Sequence, residues 1–304
     1  MEVEKANKNF DLLEHYPKLW KEFENEIIFK NRFFPKSSDI RKFMDEMSAK
    51  FTDFIEIDEM WYRAREMNVS HTESSSFIAY EKNKSAKDMP DKGDLLSLLL
   101  AASKSSSNID TLVNSPWFSA IIQEKNESAE WGYSKDESGM PPANSAGESR
   151  ANPKFISYLY LANNVDTTLA EVRASKGKYY SVAQYKIVEK LKVLNLCRVN
   201  VNEFSDDIAD LGKFYLCTSI SSAFSSPSRS NDKDYIVSQY LTEYIKTLGF
   251  NGIMFESSQN DGGVNLTLFD DFGCEFIMSS IHEVKKILFL SRQLLPFETM
   301  EAKI

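Results

Sequence analysis

The sequence predicts an α+β fold: a helical N-terminal region followed by a mixed or antiparallel β core with flanking helices. Three observations point there. The first sixty of the 304 residues carry apolar stripes at helical spacing, and from about residue 150 the texture changes to short apolar and alternating runs divided by turn residues. The 11 glycines and 9 prolines are about half the usual share of these residues, which favours long helices over a turn-dense β-sandwich. With 42% apolar and 27% charged residues the chain is globular rather than disordered, and it is long enough to bury a core without a disulfide or metal staple.

Pro17 suits the first turn of a helix whose apolar face is Leu19, Trp20, Phe23 and Ile27. Ser37 or Ser38 caps a second helix, with Ile40, Phe43, Met44, Met47 and Phe51 as its stripe. Residues 61–65 (WYRAR) break the period. Read as a strand, they place Trp61, Arg63 and Arg65 on one face and Tyr62 and Ala64 on the other. Residues 70–76 and 81–93 read as loop, and two helices follow at about 94–104 and 116–130. Residues 132–149 hold nearly every breaker type and are expected to form a loop.

SYLYLA at 157–162 is a strand, after which Asp166 or Thr167 caps a short helix over 168–174. Residues 180–196 alternate as strands. The serine-rich stretch 219–230 is read as a loop, leading to a helix at about 234–247 that stops at Gly249. GIMFESS, QNDGG and VNLTLFD form a β-hairpin on an Asp-Gly-Gly turn, and 283–291 is expected to supply the last strand.

The balance of 36 basic and 45 acidic residues, net −9, disfavours a protein that grips a phosphate backbone, so no nucleic-acid partner is expected. Cys197, Cys217 and Cys274 are odd in number and contain no CxxC; they read as reduced thiols. His15, His71 and His282 are scattered, which speaks against a zinc site; no metal is expected. MEVEKANKNF lacks the apolar core of a secretory signal, and LLSLLLAA at 95–102 is too short and too polar-flanked to span a bilayer. A cytoplasmic location with no membrane partner follows as the expectation.

No P-loop, GxGxxG, GxSxG or HExxH occurs. What remains is a constellation of Arg, Tyr, Glu and Ser at the ends of short elements, suited to anionic substrates and carbocation-like transition states. Three blocks in order carry it: WYRAR at 61–65, ESRANPKFISYLYLANNVDTTLAEVR at 148–173, and YIVSQYLTEYIKTLGFNGIMFESSQNDGGVNLTLF at 235–269. These blocks resemble the RES-domain family, named for its Arg, Glu and Ser. RFFP at 32–35 looks like part of the helical N-terminal region of longer members. The resemblance divides the chain into a helical region, 1–60, and a catalytic domain, 61–304, with a helical insertion at about 90–131.

The resemblance implies an ADP-ribosyltransferase-like fold and an activity that consumes NAD as substrate, with no further cofactor. Relatives are bacterial toxins or defence effectors that cleave nicotinamide from NAD by water or phosphate; others transfer ADP-ribose to protein. It assigns catalysis to Glu171, Arg63 and Ser257, and NAD binding to Tyr62, Arg150, Tyr160, Ser258 and Asn265. Glu171 would stabilise the charge that builds on the ribose as the glycosidic bond breaks. The arginines would take the pyrophosphate with planar forks, and Tyr160 would offer a ring face to nicotinamide or ribose. A proteinaceous antitoxin or regulator is implied as partner, and a homo-oligomer is compatible. The other readings are a protein ADP-ribosyltransferase and an inactive nucleotide- or partner-binding module. Many relatives carry glycine where Ser149 and Phe155 stand, and a side chain as bulky as Phe155 has the volume to narrow the pocket.

Each residue also has a plain structural reading. Arg63 would bridge a carboxylate on a strand edge, and Glu171, in the first turn of its helix, would favour the macrodipole. Tyr160 would be core, Arg150 surface, and Ser257 the start of the hairpin. Arg65 and Arg173 read as salt-bridge partners.

Overall fold

The computed structural model describes residues 2–36, 38–67, 132–205, 207–226, 233 and 235–288. The loops and helices expected between 68 and 131, and the last residues of the strand expected at 283–291, lie outside the described residues. Helix α1 spans Glu2–Phe29 and α2 Ser38–Lys50; strand β1 is Thr52–Ile55 and β2 Met60–Glu66. Helix α3 is Lys135–Ser138, β3 Leu159–Ala162, α4 Val165–Glu171, β4 Tyr179–Ile187 and β5 Leu191–Asn195. Helices α5, Ile208–Ser225, and α6, Ile236–Thr247, precede β6 (Gly252–Glu256), β7 (Val264–Leu268) and β8 (Cys274–Glu283).

The eight strands form one sheet in the order β1-β5-β6-β7-β3-β2-β4-β8. Every neighbouring pair is antiparallel except β5 and β6, whose connection carries α5 and α6. The fold is therefore α+β with a mixed sheet. One face packs against α1, α2, α5 and α6 through Trp20, Phe23, Met44, Leu216, Leu241 and Phe255. The other buries Trp61, Leu159, Leu161, Tyr185, Leu266 and Leu268.

Both N-terminal apolar stripes face the core as their spacing predicts, buried except for Leu19, which is half-buried. Pro17, however, lies inside α1 rather than in its first turn, because the helix begins at Glu2. A proline there removes one backbone hydrogen bond at a cost of about 3 kcal/mol. Burial of Trp20, Phe23 and Ile27 downstream, at about 1.5–3 kcal/mol each, outweighs that. Residues 52–55, read as part of the helical region, instead form β1 and pair with β5.

The stretch 132–149 is not wholly loop. Ser134 and Glu137 form a capping box that opens α3, and Ala143–Ser145 make a 3₁₀ turn. Residues 219–225, read as loop, are the end of α5. Ser219 Oγ donates back to Tyr215 O at 2.8 Å and Ser221 Oγ donates across to Leu196 O at 3.4 Å, so these two hydroxyls are satisfied without breaking the helix. Gly212 lets α5 approach α1: a Cβ there would lie 2.0 Å from the Tyr16 ring. The last strand is β8 at Cys274–Glu283, upstream of the expected 283–291; it pairs along the whole of β4, and 284–288 are irregular.

Candidate functional site

Strands β2 and β3 share a single register pair, Tyr62 with Ala162, and then diverge. Helix α4 occupies the divergence: Ala64, which has no register partner on β3, donates its amide to Thr168 Oγ1 at 2.9 Å. Asn164 caps α4 by accepting from the Thr167 amide, so the helix starts three residues earlier than the expected 168. A cavity of about 630 Å³ opens here, with Arg63, Arg150, Tyr160, Glu171, Ser258 and Asn265 on its walls.

Glu171 is the last residue of α4, not in its first turn as the sequence reading had it. A carboxylate at that end faces the negative pole of the helix, so the macrodipole does not account for its position. The site holds it by two donors: Ser257 Oγ at 2.6 Å and Asn265 Nδ2 at 2.7 Å, both on Oε1. Among the described residues Oε2 takes no hydrogen bond. Ser257 is itself fixed, since its Oγ accepts from the amides of Gln259 and Asn260 at 3.1 and 3.2 Å. The hairpin turn is pinned to α4 by Asn260 Nδ2 donating to Thr167 Oγ1 at 2.9 Å. Gly263 permits that approach, because a Cβ there would lie 2.5 Å from Thr167 Oγ1. Ser257 thus acts through Glu171 rather than by lining the cavity.

Arg63 comes from β2 at the point of divergence. Burial, and next the charge of Arg65, pull its guanidinium down to about 10, which leaves it charged at neutral pH. Its Nη1 is buried without a hydrogen-bond partner, and it forms no ion pair among the described residues. The strand-edge carboxylate bridge is therefore not what holds it. A buried cation with an unused donor is a place for an anion.

Arg150 sits on an irregular segment, 147–156. Its Nη1 donates to Ala223 O at 3.3 Å, a last-turn carbonyl of α5, and its guanidinium lies 5.7 Å from the centre of the Tyr235 ring. Tyr160 lines the cavity, but its hydroxyl serves this segment, accepting from the Ala151 amide at 3.1 Å and donating to Asn152 Oδ1 at 2.6 Å. Burial pushes that phenol up to about 12. Tyr62, expected beside Arg63 at the ligand, does not line the cavity. It forms the one β2–β3 pair, and strand alternation turns it to the face opposite Arg63.

Arg65 and Arg173 are not salt-bridge partners among the described residues. Arg65 Nη2 donates to Gly139 O at 2.8 Å, and Arg173 joins the cavity wall. Phe155 does not narrow the cavity: it is 57% exposed and adopts a left-handed backbone, φ 73°. Glycine takes that conformation without strain, so a phenylalanine here carries a backbone cost that a glycine would not.

Sequence reasoning missed Glu148, Tyr235 and Gln259 on the wall, and Asn152 beneath it. Asn152 donates from Nδ2 to the carbonyls of Gly147, Pro153 and Ile156, which organises the whole segment. An asparagine between Ala151 and Pro153 was the available signal. The cavity therefore gathers three guanidinium groups and two carboxylates, an arrangement for a ligand that is anionic in one part and develops positive charge in another. Among the described residues no cluster of three His, Cys, Asp or Glu could hold a metal, and no helix is long and apolar enough to cross a membrane.

Residues 123–286 match the family model described as the RES domain. No curated protein matches the chain. Among solved structures, the crystal structure of the M. tuberculosis MbcT–MbcA toxin–antitoxin complex is similar at 11% identity, covering 79% of this chain and 92% of that chain with a TM-score of 0.36.

Proposed function

Because the chain belongs to the RES-domain family, we propose that it is an NAD-consuming enzyme, a toxin or defence effector that breaks the nicotinamide–ribose bond. The observation that carries this reading is the pairing of two groups in one cavity. Arg63 is a buried guanidinium with an unused donor, and Glu171 is a carboxylate held through one oxygen by Ser257 and Asn265.

The pyrophosphate of NAD supplies the anion for Arg63 and Arg150, whose planar forks suit phosphate oxygens. The C–N bond between ribose and nicotinamide breaks with its electron pair going to the nicotinamide nitrogen, which neutralises that ring. Positive charge develops on the ribose, and Glu171 Oε2 faces it as a fixed counter-charge. Two donors on Oε1 hold the carboxylate in place, so no reorganisation is needed as the charge appears. Water then adds to give ADP-ribose with loss of a proton, or phosphate adds to give the ADP-ribose phosphate ester. A proteinaceous antitoxin or regulator is the partner this family membership suggests.

The test is product analysis. Purified protein is incubated with NAD, with and without phosphate, and the products are separated by chromatography. Free ADP-ribose in both conditions assigns hydrolysis, whereas a phosphorylated product formed only with phosphate assigns phosphorolysis. Nicotinamide release only when a protein acceptor is added assigns ADP-ribosyl transfer instead. No release under any condition contradicts the enzymatic reading.

A further inference from the structure

Resting on that reading, we propose that Gln239, assisted by Ser238, is the positioning residue that aims Arg150 at the anionic part of the substrate. The segment that carries Arg150 belongs to no helix or strand, so its carbonyls need partners from elsewhere. Helix α6 supplies them. Gln239 Nε2 donates to Ser149 O at 2.9 Å and to Asn152 O at 3.1 Å, and Ser238 Oγ donates to Arg150 O at 2.7 Å. Three donors thus seize the backbone on both sides of Arg150 and at Arg150 itself.

The geometry of α6 explains why two adjacent residues can do this. Tyr235, Ser238, Gln239 and Thr242 recur at i, i+3, i+4 and i+7, which places them along one helical stripe. Ser238 and Thr242 are fully buried, and Thr242 Oγ1 donates to Ser238 O at 2.8 Å, which anchors the stripe from below. Tyr235, at the top, lines the cavity and meets the Arg150 guanidinium. The same stripe therefore fixes the Arg150 backbone and bounds its side chain. From the opposite side, Tyr160 and Asn152 tie the segment to the sheet. Two carbonyls face the Gln239 amide nitrogen, so the position demands a two-proton donor; an acceptor of the same shape would face them with repulsion.

Gln239→Glu preserves size and reverses the hydrogen-bonding sense. Two readouts decide the proposal. In the first, hydrogen–deuterium exchange of the unliganded protein, Gln239→Glu should speed exchange of the amides in 149–156 at least tenfold, including the Ala151 and Phe155 amides, while β6 and β7 stay as in the parent. The second is a kinetic double-mutant cycle with Arg150→Ala. Gln239→Glu alone should raise KM for NAD about 10- to 100-fold with kcat changed less than threefold, and should add little in the Arg150→Ala background. Unchanged exchange in 149–156, or fully additive effects on KM, overturns the proposal. Faster exchange across the whole sheet also overturns it, since the residue would then be serving the fold at large. A parent protein that does not turn over NAD refutes the enzymatic reading, and the exchange arm still decides the clamp.

Discussion

Replacing Arg63 by methionine should make the unliganded protein more stable while destroying its ligand response. The guanidinium is buried with an unused donor, and burial pulls it down to about 10. At 1.36 kcal/mol per tenfold change in acidity, that depression corresponds to about 3 kcal/mol spent keeping the charge in the fold at neutral pH. The cavity is open to solvent and relieves part of this, so Arg63→Met should gain about 1–3 kcal/mol, a Tm rise of about 2–5 °C for a chain of this length. Methionine keeps the aliphatic length, which limits the loss of packing.

The pH dependence has a definite sign. The folded state holds the proton less tightly than the unfolded chain, so the penalty is fully present below about pH 10. It fades as pH rises past that value, and the gap between wild type and Arg63→Met should narrow there. In a Glu171→Gln background, where cleavage of NAD should be slowed about 10²–10³-fold, saturating NAD should raise the melting temperature only when Arg63 is present. A site filled to a hundred times its Kd gives about 2.7 kcal/mol. The assay is differential scanning fluorimetry across pH, with and without NAD. An Arg63→Met protein that melts 2 °C or more below wild type at neutral pH would refute the reasoning, because Arg63 would then be a structural cation with a partner.

Three further substitutions follow from the packing and the site. Ser257→Ala removes one of two donors on Glu171 Oε1 and frees the turn amides of Gln259 and Asn260; nicotinamide release should fall about tenfold, and an unchanged rate would show the hydroxyl to be idle. Phe155→Gly relieves a left-handed backbone worth about 1–2 kcal/mol, less about 0.5–1 kcal/mol of glycine entropy, so urea unfolding should show a gain near 0.5–1 kcal/mol. A lower midpoint at an equal slope contradicts that. Gly212→Ala drives a methyl into the Tyr16 ring and should cost about 1–3 kcal/mol in the same unfolding assay. A neutral result would mean that α1 and α5 can part without loss.

Local chemistry made the apolar stripes of α1 and α2, the β6–β7 hairpin and the stop at Gly249 readable, because periodicity and turn residues act over a few positions. The misreadings have the same root. Ser219 and Ser221 look like loop until the fold gives their hydroxyls carbonyls to bond, Tyr215 O within the helix and Leu196 O beside it; β1 has no pattern of its own and is recruited by pairing with β5. Glu171, placed one turn too early, owes its setting to Asn265 and Ser257, each more than eighty residues away. Arg63, Arg150 and Glu171 were readable as residues through the family blocks. What holds them was not, because Gln239, Asn152 and Thr168 act through tertiary contacts that no local spacing encodes.

The account stands most directly on Glu171. Calorimetric binding of NAD and the rate of nicotinamide release should be measured side by side for wild type and Glu171→Gln. The account predicts that the variant still binds NAD through the arginines while releasing nicotinamide about 10²–10³ times more slowly. A variant that releases nicotinamide at the wild-type rate would contradict it, as would a wild-type protein that neither binds nor cleaves NAD.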